Sequence, residues 1–206
     1  MPDIRRPLLF IALYAFAQGA ASQIQARVVD VPTRTGVTQR FLYLAPERPR
    51  AAVMLYAGGD GGLRIQPGQT ITWLSGNFLV RSRSLFADKG LAVAVMDAPS
   101  DRQDGRHLTA FRQTPQHAED ARAVIAWLRE QTRAPVWLVG TSNGTLSAAY
   151  IATQLPREKG GADGIVLTST VLVSPSGRTR PVTGALARNR DTNVCSAPSH
   201  ARPTLT

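Results

Sequence analysis

Residues 136–145 read Val-Trp-Leu-Val-Gly-Thr-Ser-Asn-Gly-Thr, and small, helix-compatible residues follow them as far as Ala152. The pattern predicts a buried strand, a sharp turn that carries one serine, and a helix. Such a turn strains its own backbone, and the residues two positions away must lack bulk so that strand and helix can approach. Gly140 and Gly144 meet that need around Ser142. The spacing therefore predicts a serine nucleophile on an elbow between strand and helix, and a purely structural turn is the alternative.

A second glycine cluster, Gly58-Gly59-Asp60-Gly61-Gly62, directly follows the apolar run 51–57. The backbone N–H groups of such a loop can point at one spot and bind an anionic oxygen. A phosphate-binding loop is excluded, because no Gly-Lys-Ser/Thr follows and Arg64 stands where a third glycine would be needed. We predict an oxyanion-hole loop that uses Gly58, Gly59 and Asp60, and a merely flexible loop is the alternative.

Apolar runs alternate with helical patterns along most of the chain. Strands are predicted over residues 27–31, 40–44, 51–57, 91–97 and 164–173 and in the run before the elbow, and helices over residues 75–89, from Thr114-Pro115 onward and after the elbow. The strands are continuously apolar rather than alternating, which is typical of a parallel sheet buried on both faces. The predicted fold class is therefore α/β, a three-layer sandwich around a mostly parallel central sheet.

Three titratable residues between the glycine loop and the elbow need an interpretation. Asp97 ends an apolar strand, and we interpret it as bonding locally with Ser100 and Arg102 rather than as a catalytic acid. His117 falls in the first turn of a helix beside carboxylates, where a surface or loop-pinning role is the more common one. His107 lies in a polar loop that could overhang the site. A catalytic role for His117 is the alternative.

The amino-terminal region has the pattern of a secretory signal. Arg5 and Arg6 precede an apolar run over 8–17, and small residues follow it. The run is too short to cross a bilayer core of about 30 Å, so a membrane anchor is the less favoured alternative. We predict a signal peptide over residues 1–21, a mature chain that starts between Gln18 and Gln23, and a periplasmic or secreted protein.

Composition restricts the partners. The 206 residues are 43% apolar and 18% charged, which is ordinary for one globular domain. The net charge of +10 is spread along the chain without a stacking-aromatic or helix-turn-helix pattern, so nucleic-acid binding is not predicted. We predict instead a loose attraction to anionic envelope surfaces. Cys195 has no internal disulfide partner, and no Cys/His cluster has metal-ligand spacing. We predict neither a metal nor a cofactor.

The glycine loop, the later elbow and the helices between them resemble the α/β-hydrolase fold. The segments Asp-Ala-Pro-Ser (97–100), His-Ala-Glu-Asp (117–120) and Pro-Val-Trp-Leu-Val-Gly-Thr-Ser (135–142) are similar to small exported bacterial α/β hydrolases. The likeness covers roughly residues 27–173. It implies a serine hydrolase that acts on an ester or similar small acyl substrate, with Ser142 as nucleophile and the backbone N–H groups of Asn143 and the glycine loop as oxyanion hole.

The chain after Pro175 departs from this resemblance. It is rich in Ser, Thr, Arg and Pro, with no amphipathic helix and no convincing strand, so residues 27–175 are predicted as the domain and residues 176–206 as an irregular, poorly ordered tail. The family order of serine, acid and histidine selects Asp191 and His200, which stand too close together for a helix and strand to intervene. We expect incomplete C-terminal strands and helix, an incomplete triad and weak activity; a non-catalytic envelope binding protein is the alternative.

Overall fold

A computed structural model describes residues 24–171 and the backbone of residues 193–196. Its strands are β1 Ala26–Pro32, β2 Thr38–Leu44, β3 Ala51–Tyr56, β4 Leu91–Met96, β5 Val136–Thr141, β6 Gly164–Thr168 and β7 Asn193–Ser196. Its α-helices are α1 Phe78–Arg81, α2 Arg83–Asp88, α3 Pro115–Thr132 and α4 Gly144–Gln154. Within these ranges no helix is both long and apolar enough to cross a membrane.

The strands form a seven-stranded sheet in the order β1-β2-β4-β3-β5-β6-β7. β2 runs antiparallel to both β1 and β4, whereas the pairs β3·β4, β3·β5, β5·β6 and β6·β7 are all parallel. The carboxyl ends of five strands therefore meet at one edge of the sheet. The predicted mostly parallel sheet is confirmed.

Helices cover both faces of this sheet, and the direction of the strand order explains which face each one takes. The connection from β3 to β4 steps one way along the sheet, and the connections from β4 to β5 and from β5 to β6 step the other way. Because such crossovers are right-handed, they place α1 and α2 on one face and α3 and α4 on the opposite face. The two resulting cores contain, for example, Leu79 and Val139 on the first face and Ile125 and Leu138 on the second. The predicted three-layer α/β class is confirmed.

The single helix predicted over residues 75–89 is wrong. The structure has two short helices that meet at Ser82, whose backbone lies at φ −94° and ψ 7°. The Ser82 hydroxyl donates to the carbonyl of Phe78, and this local bond competes with continuation of the helix. Leu85 on the second helix is exposed, which fits the weak helical periodicity of this run.

The expectation that no strand follows Pro175 is also wrong. β7 pairs in parallel with β6, with Asn193 opposite Gly164 and Ser196 opposite Leu167. Four residues with a central Val-Cys pair give too weak a pattern to recognise, and pairing along a buried neighbour supplies what local preference lacks. The rest of the predicted tail and the predicted signal peptide over residues 1–21 lie outside the described residues.

Helix α4 packs against the sheet so closely that its first residue must be glycine. A β-carbon on Gly144 would lie 2.0 Å from the carbonyl oxygen of Tyr56, and one on Gly140 would lie 2.5 Å from the carbonyl oxygen of Gly144. Real β-carbons do not come that close to backbone atoms. The two glycines of the Gly-x-Ser-x-Gly spacing therefore let α4 cross over β3 and β5.

Replacing Gly144 with alanine should force α4 away from the sheet. We expect Gly144→Ala to lower the free energy of unfolding by about 2–3 kcal/mol, as overpacking a tight contact does. Gly68→Ala is the matched control, because a β-carbon there would meet nothing within 4 Å. Urea denaturation of both variants measures the difference, and equal stabilities would contradict the packing argument.

Candidate active site

Ser142 occupies the turn between β5 and α4, and its side chain is exposed. Its φ of 51° lies in the left-handed region, which is costly for a residue with a side chain. Its N–H donates to the carbonyl of Thr168 on β6 at 3.1 Å, and its carbonyl accepts from the backbone N–H of Thr145 at 2.9 Å. These bonds hold the strained turn and present the serine hydroxyl at the carboxyl edge of the sheet.

The glycine loop lies directly beside this serine. A β-carbon built on Gly58 would be 3.1 Å from the Ser142 Cβ and 3.3 Å from the Thr141 carbonyl oxygen. The Asn143 side-chain amide donates to the Gly59 carbonyl at 3.1 Å, so the two segments are also joined by a hydrogen bond. Because a side chain at position 58 would crowd the serine, the loop can approach it only as bare backbone.

Gly58, Gly59 and Asn143 are therefore brought together around Ser142. Asp60 belongs to the same loop, where its carboxylate accepts the N–H of Gly62 at 3.1 Å. Within the described ranges, the backbone N–H groups of Asn143 and Gly59 make no hydrogen bond. Such N–H groups are the donors from which an oxyanion hole is built.

Arg112, which sequence reasoning missed, binds backbone carbonyls of the glycine loop. This arginine precedes α3, is only 5% exposed and bonds the carbonyls of Ala57 and Gly59 and the hydroxyl of Ser147. Burial lowers the pKa of Arg112 to about 10, with the charge of Asp60 acting in the opposite direction. Nothing in the local sequence separates Arg112 from the other arginines of this basic chain, because its partners are distant in sequence.

Asn77 is a second neighbour that the sequence did not single out. It caps α1, with its side-chain oxygen accepting the Leu79 N–H at 3.2 Å. Its amide nitrogen would lie 3.4 Å from a β-carbon on Gly58. The same built β-carbon would lie 3.1 Å from the Ser142 Cβ, so the Asn77 amide and the serine are both neighbours of Gly58.

The interpretation of Asp97 as a local turn residue is wrong. Its carboxylate accepts the backbone N–H groups of Leu63 at 2.7 Å, Arg64 at 3.2 Å and Ile65 at 2.8 Å, and that of the next residue, Ala98. The first three of these residues directly follow the glycine loop in the chain. Asp97 is thus buried and fixes the far end of that loop, a role that depends on contacts between the residue after β4 and a segment more than thirty residues earlier.

His117 is not at the surface, contrary to the sequence interpretation. Its ring is buried and packs edge-on against Tyr56 and Phe111, and neither ring nitrogen has a hydrogen-bond partner in the described part of the chain. Burial lowers the pKa of His117 to about 3, and the cations Arg112 and Arg34 add to that shift. The ring therefore stays neutral at physiological pH.

His107 does not overhang the site either. Its ring is buried under the glycine loop, where a β-carbon on Gly62 would lie 2.2 Å from it, and its Nδ1 lies 3.1 Å from the Arg102 carbonyl oxygen. Among the described residues no histidine hydrogen-bonds to Ser142. These residues also contain no group of His, Cys, Asp and Glu side chains that could hold a metal ion.

Asp191 and His200, the predicted acid and base, lie outside the described residues. Strand β7 lies between them in the chain, and its pairing with β6 shows which end of β7 is near Ser142. Asn193 at the start of β7 is level with Gly164, whereas Ser196 at its end is level with Leu167, next to the edge that carries Ser142. His200 follows the end of β7 in the chain, and Asp191 precedes its start.

The comparisons with known proteins show the fold. The chain is similar to DcsB in complex with its substrate analogue (TM-score 0.55, 16% identity, 72% of this chain and 46% of that one). It is also similar to a cold-adapted esterase from an Arctic intertidal metagenomic library (0.53, 14%, 88% and 87%). A third similar structure is brefeldin A esterase, a bacterial homologue of human hormone-sensitive lipase (0.51, 18%, 70% and 39%).

These structures carry the α/β-hydrolase fold, and this chain therefore has that fold. It spans less than half the length of DcsB and of brefeldin A esterase, at 46% and 39% of those chains. No family model and no curated protein matches the sequence.

The neutral ring of His117 makes the protein sensitive to acid. Between the ordinary pKa of 6.5 and the folded value of about 3, the unfolded chain binds a proton that the folded one excludes, so stability falls as pH falls. The loss is about 1.4 kcal/mol per pH unit, or about 2 kcal/mol at pH 5. We expect His117→Leu to reduce this slope.

Urea denaturation at pH 7, 6 and 5 measures the slope, with Gln116→Leu on the adjacent exposed position as the control. The control should keep the acid sensitivity of the unmodified protein. Identical slopes in His117→Leu and the unmodified protein would show that another group causes the loss.

Proposed function

We propose that this protein is a serine hydrolase that cleaves an ester or similar small acyl substrate, with Ser142 as the nucleophile. The observation that carries the proposal is the exposed Ser142 at φ 51°, in contact with a glycine loop at the carboxyl edge of the sheet. A strained backbone at a functional turn is retained because it holds the reacting group in position. The fold shared with several esterases supports the same reaction class.

The proposed reaction has two halves. The Ser142 oxygen attacks the substrate carbonyl carbon while a base takes its proton, and the tetrahedral oxyanion is bound by N–H groups of Asn143 and of the loop from Gly58 to Asp60. The carbonyl re-forms as the bond to the leaving alcohol breaks and the alcohol takes the proton. Water then attacks the acyl-serine ester in the same way, which releases the acid and restores the serine.

The base and the acid come from the chain order that the resemblance implies. We propose His200 as the base, because it is the histidine that follows the elbow, and Asp191 as the acid that orients it. His107 and His117 are both buried away from this role, which leaves His200 as the candidate. The alternative of a non-catalytic binding protein has no separate support from the described residues.

Labelling with a fluorophosphonate probe tests the nucleophile. We expect covalent label on Ser142, because the probe reacts only with an activated serine hydroxyl in a site that also stabilises the phosphoryl oxygen of the probe. Ser142→Ala should abolish the label, and Ser84→Ala, at an exposed serine on α2, should keep it. Peptide mapping that places the label elsewhere, or finds none, would refute the proposed reaction.

Hydrolysis of a short-chain nitrophenyl ester tests the base in the same variants. His200→Ala should lower the rate by several orders of magnitude if the histidine acts in the triad, as such losses do in serine hydrolases. An unchanged rate would exclude His200 as the base.

We further propose that the protein is exported and that its basic surface is attracted to anionic envelope surfaces. The Arg-Arg pair, the apolar run and the small residues that follow support processing of the amino terminus. Terminal sequencing of the protein recovered from the periplasm should give a start between Gln18 and Gln23. Recovery of a cytoplasmic protein that retains Met1 would contradict export.

A further inference from the structure

We propose that Arg112 is a positioning residue for the proposed reaction: its guanidinium group fixes the Ala57 and Gly59 carbonyls, and thereby the direction of the N–H groups of Gly58 and Asp60 in the loop beside Ser142. The inference rests on the function proposed above. It assigns to Arg112 an effect on the orientation of the oxyanion-hole donors, without contact to the substrate.

The burial of Arg112 is the first observation. A guanidinium group that is withdrawn from water costs several kcal/mol unless its N–H donors are satisfied. Arg112 has no carboxylate within salt-bridge distance among the described residues, in contrast to Arg34, which pairs with Asp101 and Asp120. The N–H groups of Arg112 donate instead to two backbone carbonyls and one hydroxyl. A charge buried at this cost for neutral partners indicates that the position of those partners matters.

The location of the three partners is the second observation. Nη2 donates to the Ala57 carbonyl at 2.9 Å and to the Gly59 carbonyl at 3.2 Å, both in the loop. Nη1 donates to the Ser147 hydroxyl at 2.8 Å, in the first turn of α4. One rigid, planar group thereby joins the two segments that flank Ser142. A lysine ammonium, with its single centre, cannot reproduce this fork.

Because peptide bonds are planar, these contacts also fix the direction of the neighbouring N–H groups. In a trans peptide the C=O and N–H groups point in opposite directions. Because the Ala57 and Gly59 carbonyls turn toward Arg112, the N–H groups of Gly58 and Asp60 turn away from it. Gly58 is also the residue whose added β-carbon would lie 3.1 Å from the Ser142 Cβ. The guanidinium group therefore fixes the orientation of two peptide groups in the loop that contacts Ser142.

The glycine content of the loop makes such an anchor necessary. Gly59 and Gly61 lie at φ 61° and 77°, and glycine peptides change between such conformations at little cost. A β-carbon on Gly61 would lie 2.5 Å from the Arg112 Nη2, so the loop wraps closely around the guanidinium group. Asn143 supports the same carbonyl of Gly59 from the elbow side. Without Arg112 the loop would keep its flexibility and lose its single orientation.

The test compares Arg112→Met and Arg112→Lys with Arg122→Met, a control at an exposed position on α3. Two quantities are measured for each: amide hydrogen exchange of peptides that cover residues 57–62, and the second-order rate of fluorophosphonate labelling at Ser142. We expect Arg112→Met to exchange at least tenfold faster in the loop and to label at least tenfold more slowly. Arg112→Lys should fall between Arg112→Met and the control, whose values should equal those of the unmodified protein.

Each result decides a separate question. Loop exchange that is unchanged in both Arg112 variants overturns the positioning role, and so does labelling as fast as in the unmodified protein. If the unmodified protein takes no label, the proposed reaction fails, and the exchange measurement alone still decides whether Arg112 orders the loop. If Arg112→Met does not fold, Arg112→Lys carries the comparison, with circular dichroism showing that its fold is intact.

Discussion

The candidate site depends on the backbone contact between α4 and the carboxyl ends of β3 and β5. Gly144 faces the Tyr56 carbonyl at a distance that leaves no room for a side chain, and Gly140 faces Gly144 in turn. This contact decides where the turn between β5 and α4 runs, and hence the strained φ of Ser142. It also brings the segment that follows Tyr56 to the serine. The candidate site is a consequence of how tightly one helix sits on the sheet.

Two buried charges of opposite sign hold the segment that follows β3. Arg112 binds its carbonyls near the serine, and Asp97 binds the N–H groups of Leu63, Arg64 and Ile65 at its far end. Backbone groups that do not belong to a strand or helix must find partners when they are buried, and here two side chains provide them. The loop is therefore irregular in its backbone and yet fixed at both ends.

The parts of this arrangement that depend on local pattern could be predicted from the sequence. Apolar strands, the Gly-x-Ser-x-Gly spacing and the glycine run after β3 are short-range signals, and they located the sheet, Ser142 and the loop. The roles of Asp97, Arg112 and His117 depend on partners from other elements, and a basic chain offers many arginines in similar local contexts.

The misassigned elements have the same cause. The break at Ser82 depends on one hydroxyl bond, and β7 depends on pairing with β6. Neither is visible in residue preferences over a window of a few positions, because each is decided by a contact rather than by composition.

The bond between the Ser142 N–H and the Thr168 carbonyl connects the elbow to the end of β6. The Val171 N–H also donates to the Thr145 hydroxyl, at 3.3 Å, so the departing chain is tied to the elbow at its first steps. On the other side, the end of β7 is level with β6 at the same edge, and a segment of four residues spans at most about 14 Å. His200 stands four residues beyond Ser196. If His200 is the base, as we propose, so short a connection to β7 would give it a high effective concentration at the serine, set by the length of the connection rather than by the affinity of a docked helix.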